Sequence, residues 1–411
     1  MNIVILGYRV AGLDGVSLET VHWKNILERM GHKVTLVAGE LDREGVLIPD
    51  LHFKSAKIAG IHDRVVYGNE SYEKIERIVF DIAGTIEGKL RQFFRNGYKP
   101  DLLITPNVFS IPMHFPLAIG LARTIEEFSI PTIARHHDFW WERDRYNKSQ
   151  MFPFFEKWFP PKLEKMTHTV INSLAQKSLF EKTAIEAPVI SDTFDFENES
   201  QGILDSYAKH FRNDFGLTEN DIVFLQATRI VPRKRIELSI ELISKLNIQS
   251  AVLVVSGTEG DEQKGYFKKL QSLAKEKNIR CKFIGERVNS QRKIVGGKRI
   301  YNLWDCYLNC DFVTYPTEME GFGNQFVETM YFEKPIILSP YPVYDADIKP
   351  LGFEVIEMGE KITDEVAGKV NELIANESKR KEMVERNFEI AKTNFSYRVV
   401  ENKINGILRS Y

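Results

Sequence analysis

What most constrains this chain is an alternation. Short apolar, β-branched runs are followed by longer helical stretches; the pattern runs through the first half, pauses, and starts again. In the first half, residues 3–6, 33–38, 102–105, 131–134 and 169–171 read as strands. Residues 18–30 read as a helix with Leu18, Val21, Ile26 and Leu27 on one side, stopped by Gly31, and residues 117–128 as another. In the second half, 221–227, 251–256, 282–284, 312–314 and 336–338 read as strands. Strands separated by helices cannot close as hairpins. They form parallel sheets covered on both faces. The expectation is α/β, with two Rossmann-like domains: 1–200, then 201–390 after a more polar stretch at 197–220. Residues 379–411 read as amphipathic helix, of which 391–411 end the chain without a strand of their own. Two such halves would face each other across a cleft, with ligands outside the carboxyl ends of the strands.

Composition narrows the class. A formal net charge of −2 over 411 residues gives no global electrostatic case for nucleic acid. No apolar run approaches the roughly 18 residues of a spanning helix. The first residues, 1–7, have no basic segment and read as a strand rather than a signal peptide. Cys281, Cys306 and Cys310 cannot build a disulfide framework, and no His pair accompanies the last two as metal ligands. A cytoplasmic protein is expected.

Two segments carry chemistry. The first, residues 316–330, follows the apolar strand 312–314. Gly321 and Gly323 flank Phe322 in a turn that leads into a helix, with Glu320 before the turn and Glu328 inside the helix. Glycines let a ligand approach the backbone, a helix start offers N–H groups, and carboxylates accept from sugar hydroxyls. The second, residues 227–235, follows the strand 221–227 and holds Arg229, Arg233, Lys234 and Arg235 around Pro232. Such a basic loop at a strand's carboxyl end suits a diphosphate.

The Glu320/Glu328 pair around Gly-Phe-Gly resembles the hallmark of the retaining GT-B glycosyltransferases, family 4 (glycosyl transferases group 1). Arg229 and Lys234 are similar to that family's donor-phosphate clamp. In the first half, Asp14-Gly15-Val16-Ser17 stands where the family has a Gly-Gly-Val loop, with Asp14 replacing the first glycine. His137-Asp138 looks like the family's His-Asp at the sugar site, with His136 just before it.

The resemblance implies a GT-B fold whose last helix crosses back to the first domain. It implies a nucleotide-diphosphate sugar, GDP- or UDP-hexose, bound mainly by the second domain as co-substrate. No tightly bound cofactor and no metal site are implied, and divalent metal is not required. Glu328 would hold the ribose. Glu320, Gly321 and the N–H groups of Phe322, Gly323 and Asn324 would hold the transferred sugar. Arg229 and Lys234 would neutralise the diphosphate, with the Gly15 N–H beside it. His137 would sit against the sugar, and Arg287 and Val288 against the base. Arg229, Lys234, Glu320 and His137 form the catalytic set.

The acceptor is expected in the first domain. Arg9, Arg135 and Arg143, with Arg145, His136, Trp140 and Trp141, suit an anionic sugar: arginine grips planar anions, and indoles either stack on sugars or pack the core. A small hydrophilic acceptor such as glucosylglycerate, receiving mannose or glucose, is the expectation. The alternatives are a lipid- or polysaccharide-directed transferase, which draws on the aromatic run 151–159, and a sugar-nucleotide epimerase of the same architecture. Asp345-Ala346-Asp347 has a metal-site spelling but reads as a surface turn. A homo-oligomer remains open.

Overall fold

The computed structural model of the protein describes residues 1–68, 70–147, 151–198, 202–260 and 265–409. It divides into two units, Met1–Ser191 with Val400–Tyr411, and Asp192–Val399. The boundary expected near residue 200 falls on residues 199–201, which lie outside the described residues.

In the first unit six parallel strands are β1 (Asn2–Gly7), β2 (Lys33–Ala38), β3 (Val46–Leu47), β4 (Leu102–Pro106), β5 (Thr132–His136) and β6 (Met166–Val170). Their order is β3-β2-β1-β4-β5-β6. β4 and β5 are buried along their whole length, which is why they read as unbroken apolar runs. The order reverses between β1 and β4, and the crevice outside that reversal is where such sheets bind ligands. Two helices, Ala56–Tyr67 and Tyr72–Phe93, were not legible in the sequence. The longer one buries Ile75, Val79, Ile82, Ile86 and Leu90 at helical spacing, but Glu and Arg separate those positions and mask the stripe.

The second unit repeats the plan with β7 (Ile222–Gln226), β8 (Ala251–Val255), β9 (Arg280–Phe283), β12 (Phe312–Tyr315), β13 (Ile336–Leu338) and β14 (Ile356–Glu357). Their order is β14-β13-β12-β7-β8-β9, all parallel, reversing between β7 and β12. An antiparallel hairpin, β10 (Lys293–Val295) and β11 (Lys298–Ile300), is added between β9 and β12. The helical C-terminus is two helices, Glu377–Phe395 and Tyr397–Leu408. Ser396 takes an extended conformation (ψ 161°) between them. Residues 400–411 group with the first unit, where Ile404 is fully buried, Glu401 pairs with Arg29 and Lys403 Nζ donates to the Val189 carbonyl at 3.0 Å. Among the described residues no helix is long and apolar enough to cross a membrane.

One buried histidine ties the first unit to pH. His114 is wholly buried at the start of the helix Phe115–Phe128. Its Nδ1 accepts the Leu117 N–H at 3.1 Å, and its Nε2 donates to the Asp50 carbonyl at 2.9 Å. Both nitrogens are used only by the neutral ring, and burial pushes its pKa down to about 4 from 6.5. Between those values the unfolded chain binds the proton and the folded chain resists it. Stability is therefore full above about pH 6.5 and falls as pH drops towards 4, by on the order of 3 kcal/mol from this group. His114→Asn keeps an oxygen that can cap the helix but has nothing to titrate. Urea unfolding at about pH 7.5 and about pH 5 should show a smaller acid loss in the variant than in the wild type. Equal losses would remove His114 as the cause.

Candidate active site

The basic loop is set by the last residue of β7. Gln226 is fully buried at the end of an apolar strand. Its amide nitrogen donates to the Lys234 carbonyl at 3.1 Å and to Thr228 Oγ1 at 3.3 Å, and its Oε1 accepts from Ser239 Oγ at 2.6 Å. The loop from 228 to 234 is thus closed onto the strand it leaves. Arg235, left-handed at φ 48°, then turns the chain into the helix Ile236–Leu246. Arg229 is exposed at the loop's outer edge, whereas Lys234 is buried.

Lys234 Nζ contacts Glu320 Oε1 directly and lies 5.7 Å from the Tyr315 ring centroid. Glu320 also accepts from Thr317 Oγ1 at 2.8 Å and faces Arg233 at 3.6 Å. Arg233 in turn donates to the Met319 carbonyl at 3.0 Å, and the Glu318 N–H donates to the Arg233 carbonyl at 2.9 Å. The basic loop after β7 and the glycine turn after β12 are therefore one assembly. β7 and β12 are neighbours at the sheet's reversal point, so two segments some 86 residues apart meet there.

The glycine turn is sterically constrained. Gly323 has φ 118°, a conformation that side chains rarely permit. A Cβ there would lie 2.6 Å from the Tyr341 hydroxyl and 3.0 Å from that of Tyr315. Tyr341 donates to the Phe322 carbonyl at 2.7 Å, and the Phe322 ring packs edge-on against Phe395. The helix Asn324–Tyr331 starts at this point. Asn324 Nδ2 is buried with no hydrogen-bond partner among the described residues. Gly321 is exposed. Glu328, in that helix, is buried and accepts from the Tyr307 hydroxyl at 2.7 Å. Burial first and the Glu328 carboxylate second raise the Tyr307 pKa, so the phenol keeps its proton and orients the carboxylate.

Three strand ends in this unit meet backbone against backbone. A Cβ on Gly257, after β8, would lie 1.9 Å from the Thr228 carbonyl oxygen; one on Gly285, after β9, would lie 2.3 Å from the Gly257 carbonyl oxygen. Loops 228–234, 257–260 and 285–288 are stacked backbone on backbone at Thr228, Gly257 and Gly285, and the Val231 side chain packs against Gly260. Val288 is buried beside Tyr301. The Arg287 guanidinium, expected against the base, also makes several contacts within the protein. It donates to Asp214 Oδ2 at 2.9 Å and to the Arg299 carbonyl at 3.0 Å, and lies over Phe215. Its side chain remains 23% exposed.

In the first unit the residues after β1 explain Asp14. Its carboxylate caps the helix Gly15–Arg29, accepting from the Ser17 N–H at 3.2 Å and from Ser17 Oγ at 2.7 Å. It also binds Arg9 at 2.8 Å, so Arg9 is held beside the exposed Gly15. The two histidines after β5 separate. His136 is fully buried and bonds His168 Nδ1 at 2.9 Å. The His137 N–H donates to Asn107 Oδ1 at 2.7 Å, and its Nε2 is buried without a partner among the described residues. Burial, then the Arg135 charge, lowers the His137 pKa well below 6.5, so the ring is neutral at neutral pH.

Much of the expected acceptor surface is framework instead. Arg135 is 2% exposed, bonds the Ile190 carbonyl and Glu19, and lies 4.6 Å over Trp23. Trp140 is 3% exposed and its indole donates to the Phe159 carbonyl at 2.9 Å. Trp141 stacks on Phe139 at 4.4 Å and donates to Ser178. Arg143 is gripped by Asp138, which Asn107 also holds. Arg135, being buried, takes its partners from other segments, whereas Arg143, with a side chain 41% exposed, pairs with Asp138 of its own segment. The aromatic run packs as the helix Phe152–Trp158, with Phe154, Phe155 and Phe159 in the core. Among the described residues no three His, Cys, Asp or Glu side chains are grouped to hold a metal; Asp345 is exposed and Asp347 half-buried.

The sequence model of the family glycosyl transferases group 1 matches residues 208–389. A mannosylglucosylglycerate synthase of Petrotoga mobilis is 34% identical, over 88% of this chain and 87% of its own. One of Thermotoga maritima is 31% identical over 98% of each chain. Among solved structures, sucrose-phosphate synthase of Thermosynechococcus elongatus matches with a TM-score of 0.68 at 12% identity, over 100% of this chain and 99% of that one. Anabaena HepE in complex with UDP and glucose matches with a TM-score of 0.64 at 15% identity, over the whole of both chains. At such identities the likeness to these structures is one of fold.

Proposed function

Since this chain belongs to the glycosyl transferases group 1 family and has its GT-B fold, we propose that it transfers mannose from a nucleotide-diphosphate mannose to glucosylglycerate, with retention and without a metal. The observation that carries the substrate assignment is the pair of mannosylglucosylglycerate synthases similar over nearly the full chain. The Lys234–Glu320 assembly supports the chemistry.

Breaking the anomeric C–O bond sends an electron pair to the diphosphate and leaves positive charge on the sugar ring. Arg229 and Lys234 stabilise the leaving oxygen, together with the N–H groups at the start of the helix Asn324–Tyr331. Glu320, anchored by Thr317 and Arg233, accepts from sugar hydroxyls and fixes the ring. Glu328, oriented by Tyr307, accepts from the ribose. Neutral His137 hydrogen-bonds a sugar hydroxyl through Nε2, the nitrogen without a partner among the described residues. The acceptor oxygen attacks the face the diphosphate leaves and passes its proton to the departing phosphate oxygen. No protein nucleophile is required.

Incubating the full chain with GDP-mannose and glucosylglycerate in excess EDTA should give an α-linked mannosyl product. A β-product, or turnover restored only by Mg²⁺ or Mn²⁺, would contradict the mechanism. Release of nucleotide at the same rate without acceptor, with a 2-epimer as product, would identify an epimerase instead.

A further inference from the structure

With Arg135 and Arg143 bonded to protein partners, a cavity elsewhere in the first unit offers a place to hold an anion. Segments that follow β3, β4 and β5 enclose a cavity of about 160 Å³. That is an order of magnitude above the roughly 10–15 Å³ a single water needs on this measure. Phe53 and Met113 give it an apolar wall; Lys54, His62, Asp63 and Arg145 supply its polar groups. Phe53 meets the ring of Tyr8, the first residue after β1, at 5.9 Å. The cavity thus lies outside the carboxyl ends of the strands, on the ligand-binding side of the sheet.

Its polar groups are unevenly satisfied. The Arg145 guanidinium lies 4.8 Å over the Tyr146 ring, and its buried Nε has no hydrogen-bond partner among the described residues. Leaving a buried donor unmade costs about 1–3 kcal/mol, more when it is charged, and a ligand oxygen would remove that cost. His62 Nε2 and the Tyr146 hydroxyl are 3.1 Å apart. Burial, then the Arg145 charge, lowers the His62 pKa, so His62 contributes hydrogen bonds rather than charge. Asp63, 3.6 Å from His62 Nδ1, has a side chain 69% exposed to solvent, so its charge is screened. Lys54 is exposed at the edge. The set carries two cations against one solvated carboxylate.

We propose that this cavity is the subsite for the glyceryl carboxylate of the acceptor. Arg145 grips the carboxylate, Lys54 adds charge at the edge, and Phe53 and Met113 cover the carbon chain. The assignment rests on the reading that the acceptor is a sugar-linked glycerate, and it moves recognition from the arginines near β5 to a cavity built by three segments. A planar guanidinium with a spare N–H matches a carboxylate better than an ammonium does.

Calorimetric titration of the full chain with D-glycerate tests the cavity without turnover. Saturable binding to the wild type is expected, about tenfold weaker in Arg145→Gln and several-fold weaker in Lys54→Gln. The exposed Lys54 provides a variant whose folding is not at stake. No saturable binding to the wild type, or equal binding by wild type and both variants, overturns the proposal. Turnover addresses the other question. If the wild type does not transfer to glucosylglycerate, the proposed function fails and the titration still decides the cavity. If it does, its preference for glucosylglycerate over the carboxamide should shrink about tenfold in Arg145→Gln, through the KM of the acid.

Discussion

Replacing Lys234 by alanine should lower kcat by on the order of 10²–10³, more than it raises the KM for the donor. The ammonium meets charge that appears only as the diphosphate departs, so its loss raises the barrier more than it weakens binding. Lys234 also neutralises Glu320 in a largely buried setting, with side-chain exposures of 9% and 13%. Removing it leaves the largely buried Glu320 carboxylate with the partly exposed Arg233, 3.6 Å away, as its remaining counter-charge; a fully buried carboxylate with none loses about 3–5 kcal/mol, and the loss here is smaller. The two effects separate in a cycle. Lys234→Ala with Glu320→Gln should recover most of the lost thermal stability but none of the lost rate. A double variant that regains wild-type kcat would show that Lys234 acts only as a counter-ion. Arg229→Ala should lower kcat in the same way with little change in stability, because its side chain is exposed.

The second large effect is expected at Gly323. Alanine there must either hold φ near 118° and displace the Tyr341 and Tyr315 hydroxyls, which lie 2.6 and 3.0 Å from the new Cβ, or shift the backbone of the turn. Strain of this kind costs about 1–3 kcal/mol. The functional loss should be larger than the stability loss. Displacing Tyr341 releases the Phe322 carbonyl, and the turn carries the N–H groups proposed to hold the transferred sugar. A shift of about 1 Å at such a position can cost roughly 10²-fold in rate. Gly323→Ala should therefore remain folded by circular dichroism while kcat/KM falls by about two orders of magnitude. Wild-type kcat/KM in a folded variant would show that the turn does not position the sugar.

The parallel sheets were legible because their strands are buried on both faces and spell unbroken apolar runs, such as 102–105 and 251–255. The donor-side segments were legible because glycines, carboxylates and cations cluster at strand ends. Gln226 was not, although a polar side chain closing the run Ile-Val-Phe-Leu was a signal: it closes the basic loop on β7. Thr317 and Tyr307 were not singled out either, because a hydroxyl does not spell out which carboxylate it orients. The arginines near β5 misled for a physical reason. Sequence gives charge but not partners, and Glu19, Ile190 and Asp138 come from three separate segments. The cavity at Arg145 was unreadable because Lys54, His62 and Met113 reach it from separate loops.

The backbone stacking of Thr228, Gly257 and Gly285 limits how this protein can be redesigned. Loops touching through side chains can be exchanged singly, since a new side chain can refill the gap. Here carbonyl lies against α-carbon, and no rotamer can absorb a mismatch. A graft at 285–288 intended to change nucleotide preference would push on Gly257, which would push on Thr228 and so on the basic loop. Altered base preference would then arrive together with a damaged phosphate clamp. The unit of exchange is the whole stretch from β7 to the end of β9, transplanted as a single cassette, with point changes confined to side chains that leave both glycines in place.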